Sequence, residues 1–376
     1  MKKILFYMTR FPGVGGIERV TFIIIKELLN RGFDIGILSH QSLYVNSEFD
    51  SLLCIVQKMP NEKKWCAKEN YQFAEQVIEK GNYDIIVYQD SYAPTESIVC
   101  SLALKYDIPL YVFEHSSPLF IYNKRNLDSI LSFKGFLRRI LHPYLLWREK
   151  SRKKFLLNNC KRYVLLSKQY IPEFICLLNI DNSDKILYIN NPIYSCSEND
   201  INKENIILFV GRLTKSKGVY SMINIWKYLS KKLKDWKFIV VGDGEERLYL
   251  EELVTKNQID NIEFVGFQNP LKYYKVAKIF WMMSKFEGWP MTLIESMQLG
   301  CIPVAYNSFT SILDILDDQI NGFLIHYGDT VSFAEATLKL ATDENIRKKM
   351  SSSAIAKSYE FNIEKVINKW LFLLKF

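Results

Sequence analysis

Long apolar runs are missing from this chain of 376 residues. Its FIIIKELL stretch is cut by Lys26 and Glu27, far short of the ~20 apolar residues that a membrane-spanning helix needs. Met1–Lys3 leads straight into ILFYM, which reads as a first strand and not as a signal peptide with a cleavage site. Histidine is scarce, at four, and the seven cysteines are odd in number, scattered, and without a CxxC pair. Such usage argues against a disulfide framework or a structural zinc site, and for reduced, mostly buried thiols in a cytoplasmic protein. The GxGxxG fingerprint of nicotinamide-dependent dehydrogenases is absent as well.

What is present describes an ordered globular protein: 48% hydrophobic, 24% charged and 14% aromatic residues, with length enough for two domains. The net charge of +8 is unevenly placed, with 26 Lys/Arg against 19 Asp/Glu in residues 1–190 and 23 against 22 in residues 191–376. Residues 131–162 alone hold ten basic side chains against the single Glu149. With Phe136, Tyr144 and Trp147 among those charges, the segment suits an anionic lipid surface or an acidic partner. Lys153 and Lys154 are expected on that surface. The plainer reading is a solvated helical face whose Lys and Arg stems cover a core. Nucleic acid is not implied, since no recognition motif accompanies the charge and the other half is near neutral.

Short apolar strands alternate with helical patterns along the first half: KILFYM, then a Gly-rich turn and ERVTFIIIKELLNRG, then DIGILS, SLLCIVQ, a helix around Asn70–Lys80, and DIIVYQ. PTESIVCSLALKYD reads as helix, PLYVFEH and RYVLLS as strands. The alternation starts again at IILFVG, after the polar stretch SCSENDINKEN, where a linker is placed. Strands separated by helices of this length predict parallel sheets covered on both faces. The expected fold is α/β: a Rossmann-like domain over 1–195, a second over 196–360, and a terminal helix over 361–376. Ligands of such sheets bind at the carboxyl ends of the strands, here in a cleft that both domains face.

The most informative stretch is SKFEGWPMTLIESMQLG, residues 284–300. Glu287 follows an apolar strand, Gly288-Trp289-Pro290 makes a turn, and Met291, Thr292 and Leu293 begin a helix that carries Glu295. Pro290 suits the first helical position, where its missing N–H costs nothing. Free amides of that first turn with two nearby carboxylates would take a phosphate and sugar hydroxyls. Gly211-Arg212 closes another strand, and Lys217-Gly218 follows in the loop before a helix. Two cations there suit a diphosphate whose leaving charge must be stabilised, though a lysine-rich surface loop would look the same. Gly242 and the region ending at Phe267 close two further strands, to approach a nucleotide or merely to turn. Gly15 and Gly16, between the first strand and first helix, line a phosphate or acceptor, or only a tight turn. His115 ends PLYVFEH and precedes Ser116-Ser117-Pro118, a setting for a proton-bearing or orienting imidazole beside a sugar, or for a structural one.

Taken together, GVGGIER at 13–19, EHSSP at 114–118, NNPI at 190–193, VGRLTKSKG at 210–218, VGDGEER at 241–247 and EGWPMTLIESMQLGCIPVAY at 287–306 resemble the retaining glycosyltransferases of GT-B fold, family 4. The resemblance implies that Arg212 and Lys217 clamp the donor diphosphate, Glu295 binds the ribose, and Glu287 holds a donor-sugar hydroxyl. It further implies that amides around Pro290–Leu293 complete the phosphate site, and that Gly15, Gly16 and His115 approach from the N-terminal domain. Gly242, Phe267, Gly288 and Trp289 join the donor-binding set. The donor implied is a nucleotide diphosphate sugar, UDP before GDP, and the acceptor a lipid-linked, lipopolysaccharide or capsule glycan. The family's usual metal independence fits the missing DxD, so no metal and no other cofactor is expected. Trp289-Pro290 departs from the Phe-Gly of many relatives. A nucleotide-sugar epimerase or phosphorylase on a related scaffold, and a carbohydrate-binding protein without activity, are the alternatives.

Overall fold

The computed structural model describes residues 2–13, 15–42, 52, 54–90, 94–124, 133–194 and 202–375. Residues 195–201 of the polar stretch read as a linker, and 131–132 of the basic segment, lie outside the described residues. The chain divides into two units, Met1–Pro192 with Glu364–Phe376, and Ile193–Ile363.

The first unit begins with β1 (Lys3–Arg10), α1 (Gly16–Asn30), β2 (Asp34–Gln41), β3 (Ile55–Lys58), α2 (Lys68–Gly81), β4 (Ile85–Asp90), α3 (Glu96–Lys105) and β5 (Leu110–Glu114). It continues with α4 (Phe120–Lys124), α5 (Phe133–Asn159), β6 (Arg162–Leu165), α6 (Tyr170–Leu178) and β7 (Ile186–Tyr188). Its parallel sheet has the order β3-β2-β1-β4-β5-β6-β7. Helices cover both faces of such a sheet, which is why a strand like β5 is buried along its whole length and reads as a continuous apolar run. The last helix, Ile363–Lys375, returns to this unit. Trp370 stacks on Phe113 with ring centroids 4.0 Å apart, and Lys2 donates to the carbonyl of Leu374 at 2.6 Å.

The second unit runs β8 (Glu204–Val210), α7 (Val219–Leu229), β9 (Lys237–Val241), α8 (Arg247–Lys256), β10 (Ile262–Gly266), α9 (Leu271–Val276) and β11 (Ala277–Met282). Then come α10 (Met291–Gln298), β12 (Ile302–Asn307), β13 (Phe323–His326), α11 (Thr330–Thr342) and α12 (Glu344–Ser358). The strands lie parallel in the order β10-β9-β8-β11-β12-β13. Trp226, Phe238, Trp281 and Phe333 fill the core, and Trp281 Nε1 donates to Thr337 Oγ1 at 3.1 Å, so the buried indole keeps its hydrogen bond. Asp329 and Asp343 cap α11 and α12 by accepting from the amides of Ser332 and Ile346, both at 3.0 Å.

The basic segment is divided by its own helix. Along α5, Phe136, Ile140, Tyr144 and Trp147 recur at helical spacing and are 56–63% exposed, with Arg148 and Lys154 also at the surface. Lys153, expected beside Lys154 on that surface, points the other way and is 1% exposed. Successive helical positions are turned by about 100°, and the inward turn brings Lys153 onto Glu114 of β5 and within 3.2 Å of Glu149. Arg152 also folds back on Glu149, at 2.8 Å. Burial alone would raise the Glu149 carboxyl, but Arg152 and Lys153 outweigh it and bring it down to about 2. Among the described residues no helix is long and apolar enough to cross a membrane.

Candidate active site

In the second unit the strand order reverses between β8 and β11, the kind of switch point where loops diverge and leave room at the carboxyl ends. The loop Gly211–Gly218 leaves β8 and residues 283–290 leave β11. They are joined by the Lys285 amide, which donates to the Ser216 carbonyl at 2.7 Å. Gly218 has φ +72°, and a Cβ there would collide with the Met283 carbonyl oxygen, so only glycine lets the two loops approach this closely.

That approach places Lys217 Nζ on Glu287 Oε1. The same carboxylate oxygen accepts from Ser284 Oγ at 2.6 Å, and the Ser284 carbonyl accepts from Ser308 Oγ at 2.5 Å. The Lys217 and Glu287 side chains are 28% and 15% exposed, so this is a half-buried ion pair held from behind, not a mobile surface contact. Arg212 stands exposed at the end of β8 and pairs with no carboxylate among the described residues. One neutralised cation and one available cation therefore share the mouth of the switch point. An anionic ligand would meet both.

The helix that follows differs in detail from the sequence expectation. Pro290 is the N-cap of α10, not its first residue, with φ −80° and ψ 84°. The Met291 amide already donates to Trp289 O at 3.0 Å and the Leu293 amide to Pro290 O at 3.1 Å, which narrows the set of amides that a phosphate could claim. Thr292 is half-buried, and Glu295 one turn on accepts from Tyr274 OH at 3.3 Å. Trp289, adjoining Gly288, turns inward, 6% exposed, and meets Phe361 edge-on at 5.2 Å. Gly242 is demanded by packing, because a Cβ there would strike the Gly211 carbonyl oxygen of the neighbouring strand end. Phe267 stands 89% exposed after β10, an aromatic face without a packing role in its own unit.

In the first unit Gly15 caps α1 and Gly16 opens it. Among the described residues nothing lies within 4 Å of a Cβ built on Gly16, so none of their contacts requires a glycine there. His115, just after β5, uses Nε2 on the Gln89 side-chain oxygen, which makes Nε2 the proton carrier and Nδ1 the acceptor. Nδ1 is buried and has no hydrogen-bond partner among the described residues. Burial pushes this imidazole down to about 4, so it is neutral near pH 7. Tyr274 and Gln89 carry no signal in the sequence, since their partners Glu295 and His115 lie on other elements.

The low histidine values have a consequence for stability. His40, fully buried against Tyr7 OH at 2.9 Å, is also brought to about 4 by burial. An unfolded histidine titrates near 6.5, so the unfolded chain binds more protons than the folded one below that point. Stability from these two groups is fully present above about pH 6.5 and is lost as pH falls toward about 4. Urea midpoints are expected to drop between about pH 7 and about pH 5, less steeply in His115→Asn. An equal slope in that variant would remove His115 from the account.

Comparison with known proteins completes the assignment. The family described as Glycosyltransferase Family 4 matches residues 14–194, and Glycosyl transferases group 1 matches residues 195–357. An uncharacterised glycosyltransferase of Haemophilus influenzae is 26% identical over 98% of this chain and 99% of its own. A Campylobacter jejuni enzyme, named as an alpha-1,4-N-acetyl-D-galactosaminyltransferase acting on a diNAcBac-PP-undecaprenol-linked glycan, is 25% identical over 84% of this chain and 86% of its own. The crystal structure of HepE from Anabaena with UDP and glucose superposes with a TM-score of 0.76 over 100% of both chains at 17% identity. The architecture is thus the GT-B fold, two Rossmann-like domains. The chain is a glycosyltransferase, which sets aside the epimerase and carbohydrate-binding alternatives.

Proposed function

We propose that this protein is a retaining family 4 enzyme that moves a hexose or N-acetylhexosamine from a nucleotide diphosphate sugar to a lipid-linked or other envelope glycan. The observation that carries the reading is the Lys217–Glu287 pair, backed by Ser284 and accompanied at the β8/β11 switch point by exposed Arg212, which pairs with no carboxylate among the described residues. As the anomeric C–O bond breaks, negative charge grows on the leaving diphosphate. Arg212 and Lys217 oppose it in place, without reorganisation at the moment of reaction. Glu287, released from part of its hold on Lys217 by the phosphate, takes a sugar hydroxyl. Glu295 takes the ribose, with amides near Thr292 on the phosphate and the exposed Phe267 ring available to a base.

His115 and the Gly15-Gly16 turn are assigned to the sugar and acceptor. The neutral imidazole offers Nδ1 to a donor hydroxyl, and Gly16 leaves backbone exposed where no described residue needs the space. Retention follows from the family likeness: same-face attack, with the departing phosphate taking the acceptor proton. UDP is the first choice of nucleotide, supported by the Anabaena structure with UDP and glucose. The undecaprenol-diphosphate glycan in the name of the Campylobacter relative supports a lipid-linked acceptor.

Calorimetric titration of the full chain with UDP, GDP, ADP and their sugar conjugates tests the donor site. Selective binding of one nucleotide, abolished in Glu295→Ala, is expected. Binding by none of them would remove the donor assignment.

The α5 face supports a cytoplasmic protein resting on the inner membrane surface. Apolar Phe136, Ile140, Tyr144 and Trp147 are held out to solvent beside Arg148 and Lys154, a composition that suits insertion among anionic headgroups. Trp147→Glu is expected to weaken binding to phosphatidylglycerol vesicles at least about tenfold while leaving nucleotide binding intact. Undiminished vesicle binding would reject the membrane role.

A further inference from the structure

A second concentration of charge lies in the C-terminal unit, away from the donor clamp. At the amino-terminal ends of β8, β11 and β12, opposite the strand ends that carry Arg212, Lys217 and Glu287, a cavity of about 670 Å³ opens against the start of α12. Lys203, Lys278, Arg347 and Lys348 line it, with Glu344 as its one lining carboxylate.

These cations are not equivalent. Lys203 forms the floor, its Nζ donating to the carbonyls of Tyr274 at 2.8 Å and Ala277 at 2.7 Å. Lys278 donates to Asn205 Oδ1 at 2.6 Å, which leaves two ammonium protons. Burial, and then the positive charge of Arg347, pull Lys278 below its ordinary range. Arg347 donates through Nη1 to the last carbonyls of α11, Leu340 at 2.6 Å and Ala341 at 2.9 Å. Its Nε and Nη2 have no protein partner among the described residues, so the guanidinium is anchored at one end and unsatisfied at the other. Lys348 pairs directly with Glu344 at 2.8 Å; Glu344 and Asp235 act on Lys278 more weakly than burial and Arg347 do.

Lysines on an open surface repel weakly because water screens them. Here the cations converge on a concave site, two of them partly desolvated, and the repulsion between Lys278 and Arg347 is one that an anion between them would relieve. The reaction makes no use of this place. We propose that the cavity is a second anion site, which takes a small soluble phosphate or diphosphate group between Lys278 and Arg347, with Lys348 at its mouth.

Hydrogen–deuterium exchange on the full chain reads this site separately from the donor clamp. Pyrophosphate is expected to slow exchange in peptides covering 202–206 and 340–352 by at least about threefold, where sodium chloride of equal ionic strength does not. The effect should vanish in Lys278→Gln and shrink in Lys348→Glu, the latter altering a side chain that is 74% exposed and safe for folding. Equal slowing by chloride, slowing confined to 211–218 and 284–293, or slowing that survives both substitutions would each overturn the proposal. The last but one outcome would leave the donor clamp standing, so the two sites fail independently.

Discussion

Lys217→Ala is expected to lower turnover by about 10²–10³-fold, the loss typical of removing one charge stabiliser from a reacting centre. The reason is geometric. The Gly218 turn and the Lys285–Ser216 hydrogen bond hold Lys217 at the β8/β11 switch point before any ligand arrives, so its charge acts without a reorganisation cost. Most of the effect should fall on kcat, because the charge on the leaving diphosphate is greater in the transition state than in the bound donor. Stability should change little, by under about 1 kcal/mol, because the ion pair is partly solvated and Ser284 keeps its bond to Glu287. Lys217→Arg keeps the charge and should recover part of the rate. Native turnover with near-native donor affinity in Lys217→Ala would sink the assignment of this lysine.

The largest effect on stability is expected at a lysine with no part in that chemistry. Lys153→Met should destabilise the first unit by about 3–5 kcal/mol, the range for breaking a buried ion pair from one side. The substitution keeps the length of the stem and removes the charge, which leaves Glu114 almost fully buried with, among the described residues, Tyr163 OH at 2.6 Å and Ser116 Oγ at 3.1 Å. Glu114 directly precedes His115, so a displaced carboxylate would also disturb the histidine. Adding Glu114→Gln to Lys153→Met should restore part of the loss, because the orphaned charge is then gone. Urea unfolding followed through Trp370, packed on Phe113 of β5, reports this unit. A shift no larger than that of the exposed neighbour in Lys154→Met would contradict the buried pair.

Much of the architecture was legible because parallel strands covered on both faces must be apolar along their length. KILFYM, PLYVFEH, IILFVG and KFIVVG could be nothing else at that spacing, and they became β1, β5, β8 and β9. The short helices α4 and α6 were not legible, having too few turns to display a period. The proposed donor element was visible for a different reason. Glu287, Pro290 and Glu295 are close in sequence, and a strand end, a turn and a helix start each leave a local mark. Their placement still held a surprise: Pro290 took the N-cap, one residue before the position its missing N–H suggests.

Across α5 the limit is sharper. Composition showed ten basic residues and interleaved aromatics in 131–162 but not which of them face solvent. Lys153 and Lys154 are indistinguishable as letters, yet one is 1% exposed and neutralised by Glu114 while its neighbour is at the surface. Only the packing of α5 against β5 decides between them.

By itself the sequence determined where most strands and the longer helices fall and which local segments carry the proposed donor chemistry, since both follow from periodicity and neighbouring residues. The tertiary structure alone decided the partners: Lys217 with Glu287, Tyr274 with Glu295, Gln89 with His115, Lys153 with Glu114. Each pair joins residues separated by at least 21 positions. Hydrogen bonds and ion pairs act over a few ångströms, and distance along the chain says nothing of distance in space until strand order is set.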